Sequence, residues 1–218
     1  MALGAGFSAL TLAGCQRKQQ VAAPEQNFWD VHKKENDWRI VNPSFWYSDH
    51  PRITHWRRKY DKNRDPWKLW KRAERYLPEI RREFDKHQLP LELCLLPMIE
   101  SSFDPLARSA RAVGLWQFIA PTAIDMGLLV NNRMDQRLDW AKATVAAAKY
   151  LTQLARKFDG NWGLVLASYN LGPGAIGRAV EAQGTQNFWS LKLREETTEY
   201  VPKFLAMVQL LRESFPEA

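Results

Sequence analysis

PLELCLLPMIESSFDPLARSARAVGLWQ, residues 90 to 117, carries an apolar run into a polar turn and delivers one carboxylate, Glu100, at the junction. The spacing predicts a helix from Leu91 to about Ser101, with Pro90 suited to its first turn and Pro97 disturbing its ladder. The polar SSFDPLARSARA that follows reads as a loop. A Glu at the polar end of LELCLLPMI loses part of its hydration, which lifts its pKa from about 4.3 toward about 6. There the acid form is populated near neutrality, as a proton donor requires. The competing role is a cap on the end of a buried helix, so other residues must decide.

Working outward, Trp67, Trp70, Ala73, Leu77, Ile80 and Phe84 recur at threes and fours, with Pro78 predicting a kink or a break between two shorter helices. Pro121 opens a short helix through Met126, ended by Gly127. Asp139 is a cap candidate for the clearest helix, whose stripe is Trp140, Ala143, Ala147, Tyr150, Leu154 and Phe158 and whose stop is Gly160. NWGLVLASYN forms another apolar helix closed by LGPG, and Gly174 to Gln183 a short one. Tyr200, Phe204, Val208, Leu211 and Phe215 mark a long C-terminal helix. No alternating strand pattern of useful length occurs, although Asn131 and Asn132 offer turn chemistry for a small β-hairpin around Leu128 to Arg133. The chain reads as mainly α, without internal repeats.

The 218 residues, 45% of them hydrophobic, suit one core of ordinary size plus an appendage. No uninterrupted apolar stretch reaches the ~18 residues of a spanning helix. Ten Trp residues favour a carbohydrate ligand mildly, because aromatic faces stack on sugar rings. The net charge of +7 attracts polyanions, but apart from Arg52, Arg57, Arg58, Lys59, Lys62 and Arg64 the cations are scattered, and no nucleic-acid-binding signature accompanies them. An anionic wall polymer, a lipid surface or a solvated face fits that charge; nucleic acid is not expected. His32, His50, His55 and His87 have no HExxH spacing and two cysteines cannot build a zinc cage, so neither metal nor cofactor is expected. Among the carboxylates that could partner Glu100, Asp104 precedes Pro105 and suits a turn, while Asp125 and Asp139 suit helix surfaces or caps.

ESSF at Glu100, GLWQF at Gly114, SYNLG at Ser168 and ETTEYV at Glu196 follow one another in a single domain. Their order resembles the lytic transglycosylase domain, close to goose-type lysozyme, and the Trp in GLWQ is most similar to the membrane-bound type D subgroup. The resemblance covers about Pro66 to Phe215. It implies a lysozyme-like helical fold and cleavage of peptidoglycan glycan strands to anhydromuramoyl ends, with Glu100 as the single general acid and base. It also implies that Tyr169 hydrogen-bonds and orients the catalytic carboxyl, that Asn170 lines the sugar groove, that Gln117 contacts an N-acetyl group, and that Tyr200 is a second hydroxyl near Glu100. Gly114 would let the backbone approach the sugar. Each has a plainer role, a cap for Gln117 and a core position for the tyrosines. Ser168 stands where the family usually has Ala. Ser101, directly after the acid, and Ser109, in the following loop, compete to steer the muramoyl C6 hydroxyl, because the Glu100 to Gly114 segment is one residue shorter than usual.

Residues 16–65 read as a linker followed by an irregular or short-helical arm that packs on a catalytic domain at 66–218. Cys94 reads as a buried thiol. Cys15 ends LAGC and is similar to a lipoprotein lipobox, which implies a signal segment at 1–15, lipidation at Cys15 and periplasmic anchoring at the outer membrane. Met1 to Leu12 lacks Lys and Arg, so this reading expects basic residues upstream. Cell-wall synthesis or remodelling proteins are further partners it implies. Two other functions compete: a lysozyme-like hydrolase on the same fold, and an inactive glycan-binding scaffold module.

Overall fold

The computed structural model describes residues 43–63 and 66–214. Asp139 opens the central helix α7 (Trp140–Lys157) by accepting a hydrogen bond from the Lys142 backbone N–H at 3.1 Å. Its alanines, Ala143, Ala146, Ala147, Ala148 and Ala155, bury with Leu151 and Leu154. After Gly160, at φ +70°, Asn161 caps α8 (Trp162–Leu171), in which every residue from Trp162 to Ser168 is buried. A helix apolar all round belongs at the centre of a fold. It is followed by α9 (Pro173–Gln183), ended by left-handed Gly184, and by α10 (Glu195–Ser214), which packs along α8.

The short-helical alternative holds for the end of the arm. Helices α1 (Pro43–Trp46) and α2 (Pro51–Asn63) lie on α10, and Trp46, Ile53 and Tyr60 enter the same core as α7 and α8. The Trp56 indole N–H donates to Glu199 Oε2 at 2.5 Å. The break expected near Pro78 falls between α3 (Pro66–Ala73) and α4 (Leu77–Lys86), where Pro78 occupies the first turn.

Two expectations need correction. The helix predicted over Leu91 to Ser101 is instead a 3₁₀ turn at Leu91–Leu95 followed by the short α5 (Pro97–Glu100). Pro97 has no N–H to continue a ladder, so the chain tightens before it and restarts with the proline in its first turn. The small antiparallel pair also lies elsewhere. Strands β1 (Ala112–Val113) and β2 (Phe118–Ile119) pair Ala112 with Ile119 and Val113 with Phe118. Around Leu128 to Arg133 the turn does form, with Asn131 Oδ1 accepting from the Arg133 and Met134 N–H groups, but only an isolated bridge between Val130 and Asp135 flanks it. Helix α6 (Ala120–Asp125) leads away from β2. Cys15, the aromatic cluster at Phe28, and Phe215 lie outside the described residues. Among the described residues no helix is long and apolar enough to cross a membrane.

Candidate active site

The GLWQ segment is the loop of the β1–β2 hairpin, and it dips inward: Leu115 and Trp116 are wholly buried. Buried carbonyls need partners. Ser101 Oγ donates to the Leu115 carbonyl at 2.8 Å, and Tyr169 Oη donates to the Trp116 carbonyl at 2.8 Å. The Trp116 indole stacks on Phe84 and donates to Thr144 Oγ1 at 3.0 Å. Behind the hairpin, Arg137 forks onto Asp135 at 2.9 and 2.8 Å and donates to the Phe118 carbonyl at 3.1 Å, holding the Asp135 carboxyl below its usual range. Gly114, at φ +85°, has no room for a Cβ, which would stand 1.9 Å from the Arg137 carbonyl oxygen. Close backbone packing on the Arg137 carbonyl therefore requires glycine here.

Glu100 is the last residue of α5, and the chain turns sharply after it through Ser102 and Phe103, at φ +55° and +58°. Left-handed backbone at two consecutive non-glycine residues is strained and needs support. The Phe103 N–H reaches back to the Pro97 carbonyl at 3.1 Å, its ring is fully buried, and Arg72 holds the Ser102 carbonyl at 3.1 Å. The Glu100 side chain is thereby placed at the junction of α5, α8 and α10, partly buried, with the Tyr200 hydroxyl donating to its Oε1. Burial pushes the carboxyl up to about 7, nearby Glu196 adds to the rise, and the Tyr200 hydrogen bond opposes it. Burial and the Glu100 charge hold both the Tyr200 and Tyr169 hydroxyls in their protonated, donating form.

The carboxyl opens onto a cavity of about 560 Å³, within the range of ligand sites. It is lined by Ser109, Arg111, Ala112, Gln117 and Ile119 of the hairpin and its approach, and by Tyr150 of α7, Tyr169 and Asn170 of α8, and Arg194 and Glu196 at the start of α10. Of the expected residues, Glu100, Ser109, Gln117, Tyr169 and Asn170 meet here, whereas Ser101 faces the hairpin loop. Tyr200 takes the contact expected of Tyr169, whose own hydroxyl clamps the loop. Gln117 donates its amide N–H groups to the Gly114 and Ala107 carbonyls at 2.8 and 3.3 Å, leaving its side-chain carbonyl as the available acceptor. Asn170 Oδ1 accepts from Thr197 at 2.7 Å, and its Nδ2 faces Glu196 at 3.5 Å. Asp104 accepts from the Leu106 N–H, as a turn residue does. Among the described residues no Trp lines the cavity; Trp46, Trp70, Trp116 and Trp162 are core.

Sequence reasoning passed over Glu196, Arg111, Arg194 and Tyr150. Glu196 opens the ETTEYV motif and could have been found from its place one helical turn before Tyr200. Tyr150 reads as part of the apolar stripe of its helix, and the two arginines sit in stretches with no pattern to mark them.

Residues 78–192 match the family model described as the transglycosylase SLT domain. The chain is 43% identical over 148 residues to membrane-bound lytic murein transglycosylase D of Escherichia coli strain K12, covering 66% of this chain and 33% of that relative. It therefore spans about a third of the length of that relative. The fold is similar to the 70 kDa soluble lytic transglycosylase SLT70 of Escherichia coli, with TM-score 0.58 and 20% identity over 83% of this chain and 34% of the other. It is also similar to an inactive mutant of the lytic transglycosylase Slt of Pseudomonas aeruginosa, with TM-score 0.54 and 24% identity over 65% and 24% of the two chains.

Proposed function

The chain belongs to the transglycosylase SLT domain family, and from that premise we propose that it cuts peptidoglycan between the muramoyl and glucosaminyl sugars without consuming water. The observation that carries this reading is Glu100, a carboxyl at the cavity that is raised to about 7 and held by Tyr200. An acid of that strength is present in both forms near neutrality, which suits a group that must give a proton and then take one. Glu100 protonates the glycosidic oxygen as its bond to the muramoyl anomeric carbon breaks. The carboxylate then accepts the proton of the muramoyl C6 hydroxyl as that oxygen closes onto the same carbon. An anhydro ring results, the proton count balances, and no water enters. Tyr200 steadies the carboxylate between the two steps.

The Gln117 side-chain carbonyl accepts from an N-acetyl N–H in this reading, which the engagement of its amide N–H groups by backbone carbonyls supports. Ser109, which lines the cavity, is assigned the C6 side in preference to Ser101. A second reading, hydrolysis by a carboxylate pair, is favoured by one feature: Glu196 also lines the cavity. Against it, Glu196 is engaged by Asn170 and by Arg194 at 3.8 Å.

The test is Glu100→Gln on purified glycan strands, for which a loss of at least about a hundredfold in turnover is expected. Near-normal turnover by the folded variant would remove Glu100 from the chemistry. Lipidation at Cys15, with periplasmic anchoring at the outer membrane, is proposed from the LAGC segment. Cys15→Ala should move the exported protein from the membrane to the soluble fraction with activity retained. Unchanged fractionation would refute the anchor.

A further inference from the structure

Two arginines line the cavity, and the chemistry above uses neither. Arg111 immediately precedes β1 and Arg194 immediately precedes α10, so the two reach the cavity from segments far apart in the chain. Arg194 is engaged, pairing with Glu196 at 3.8 Å and donating to Thr197 Oγ1 at 3.4 Å. Arg111 is exposed and has no hydrogen bond or ion pair among the described residues. Of the two carboxyls among the described residues that line the cavity, Glu196 is shared between Arg194 and Asn170 and Glu100 is held by Tyr200, and neither forms an ion pair with Arg111. A guanidinium is a planar fork matched to a carboxylate. In a glycan strand the carboxylates hang from muramic acid, either on its lactyl ether or on the stem peptide attached there.

Building on the peptidoglycan reading, we propose that Arg111 forms a subsite for a carboxylate carried by the muramoyl substituent, while Arg194 masks Glu196 and so removes the repulsion such a group would meet. The site then distinguishes strands by the charge of what muramic acid bears. Arg111 is a binding residue and takes no part in proton transfer.

The experiment compares three preparations of the same strands: native, amidated with carbodiimide and ammonia so that the carboxylates become neutral, and stripped of stem peptides by an amidase, which frees the lactyl carboxylate. For the wild-type chain, kcat/KM on native strands should exceed that on amidated strands by about three- to tenfold, the scale of one charge-assisted contact, and the difference should lie in KM. In Arg111→Gln that ratio should collapse toward one. Arg111→Lys should restore part of it. Dependence on Arg111 on native strands assigns the carboxylates of the stem peptide, and dependence found only on stripped strands, where the lactyl carboxylate is free, assigns that group. The proposal is overturned if Arg111→Gln changes neither the native-to-amidated ratio nor kcat/KM on stripped strands. A wild-type chain that cuts none of the three contradicts the peptidoglycan reading itself and removes the subsite with it, so the two failures are distinguishable.

Discussion

Replacing Glu100 by Gln should make the folded protein more stable at alkaline pH while it removes turnover. The carboxyl titrates at 4.5 when unperturbed and at about 7 in the folded chain. That difference corresponds to about 3 kcal/mol of folding free energy. Because the folded state binds the proton more tightly, it carries more protons than the unfolded state between these two values. Stability therefore falls as pH rises through that window and is level on either side of it. Gln has the same shape, its oxygen still accepts from Tyr200, and it does not titrate. The gap in unfolding free energy between variant and wild type should accordingly widen by up to about 3 kcal/mol from pH ~4 to pH ~8. Urea denaturation of both proteins across that range measures it, and groups elsewhere cancel in the difference. Parallel pH dependence in the two proteins would mean that Glu100 titrates as an ordinary carboxyl and that burial does not prepare it as an acid.

Three further outcomes are expected. Tyr200→Phe removes the hydrogen bond that favours the ionised carboxyl, so the alkaline limb of kcat/KM should move to higher pH and turnover should fall by about ten- to a hundredfold; Tyr169→Phe, which loses only the loop clamp, should leave that limb in place, and the reverse pattern would exchange the two roles. Gly114→Ala meets the Arg137 carbonyl at 1.9 Å from a left-handed backbone and should lose about 3 kcal/mol or more in denaturant unfolding; a loss within experimental error would show that the hairpin has room. Ser168 Oγ is buried without a hydrogen-bond partner among the described residues, so Ser168→Ala should gain about 1 kcal/mol, and a clear destabilisation would reveal a partner for that hydroxyl.

The helical frame was legible because its signals are local. The Asp139 cap, the alanine and leucine spacing of α7 and the unbroken apolar run of α8 each fix an element without reference to the rest of the chain. The burial of Glu100 was legible for a related reason: it ends an apolar run, and its burial follows from that position. The proline at 97 was visible too, but its effect depends on how tightly the surrounding apolar run is packed, and sequence spacing does not encode the choice between a disturbed helix and a 3₁₀ turn. The hairpin was misplaced because two-residue strands leave almost no alternation to read, and GLWQ looked like a sugar motif when it is first a turn. The division of labour between Tyr169 and Tyr200 was illegible. Both lie in matching motifs, and only packing determines that one hydroxyl meets a buried carbonyl and the other the carboxyl. Arg111 and Glu196 matter through their neighbours across the cavity, which come from segments more than eighty residues apart in the chain.

The central claim is that Glu100 serves as both acid and base so that no water enters the bond, and the most direct measurement is digestion of peptidoglycan in water enriched in heavy oxygen, followed by mass analysis of the new muramoyl ends. The proposed mechanism predicts ends lighter than reducing muramoyl ends by one water, free of the isotope, and absent from a digest with Glu100→Gln. Reducing ends carrying heavy oxygen would contradict it, and would return Glu196 to consideration as the base that activates water.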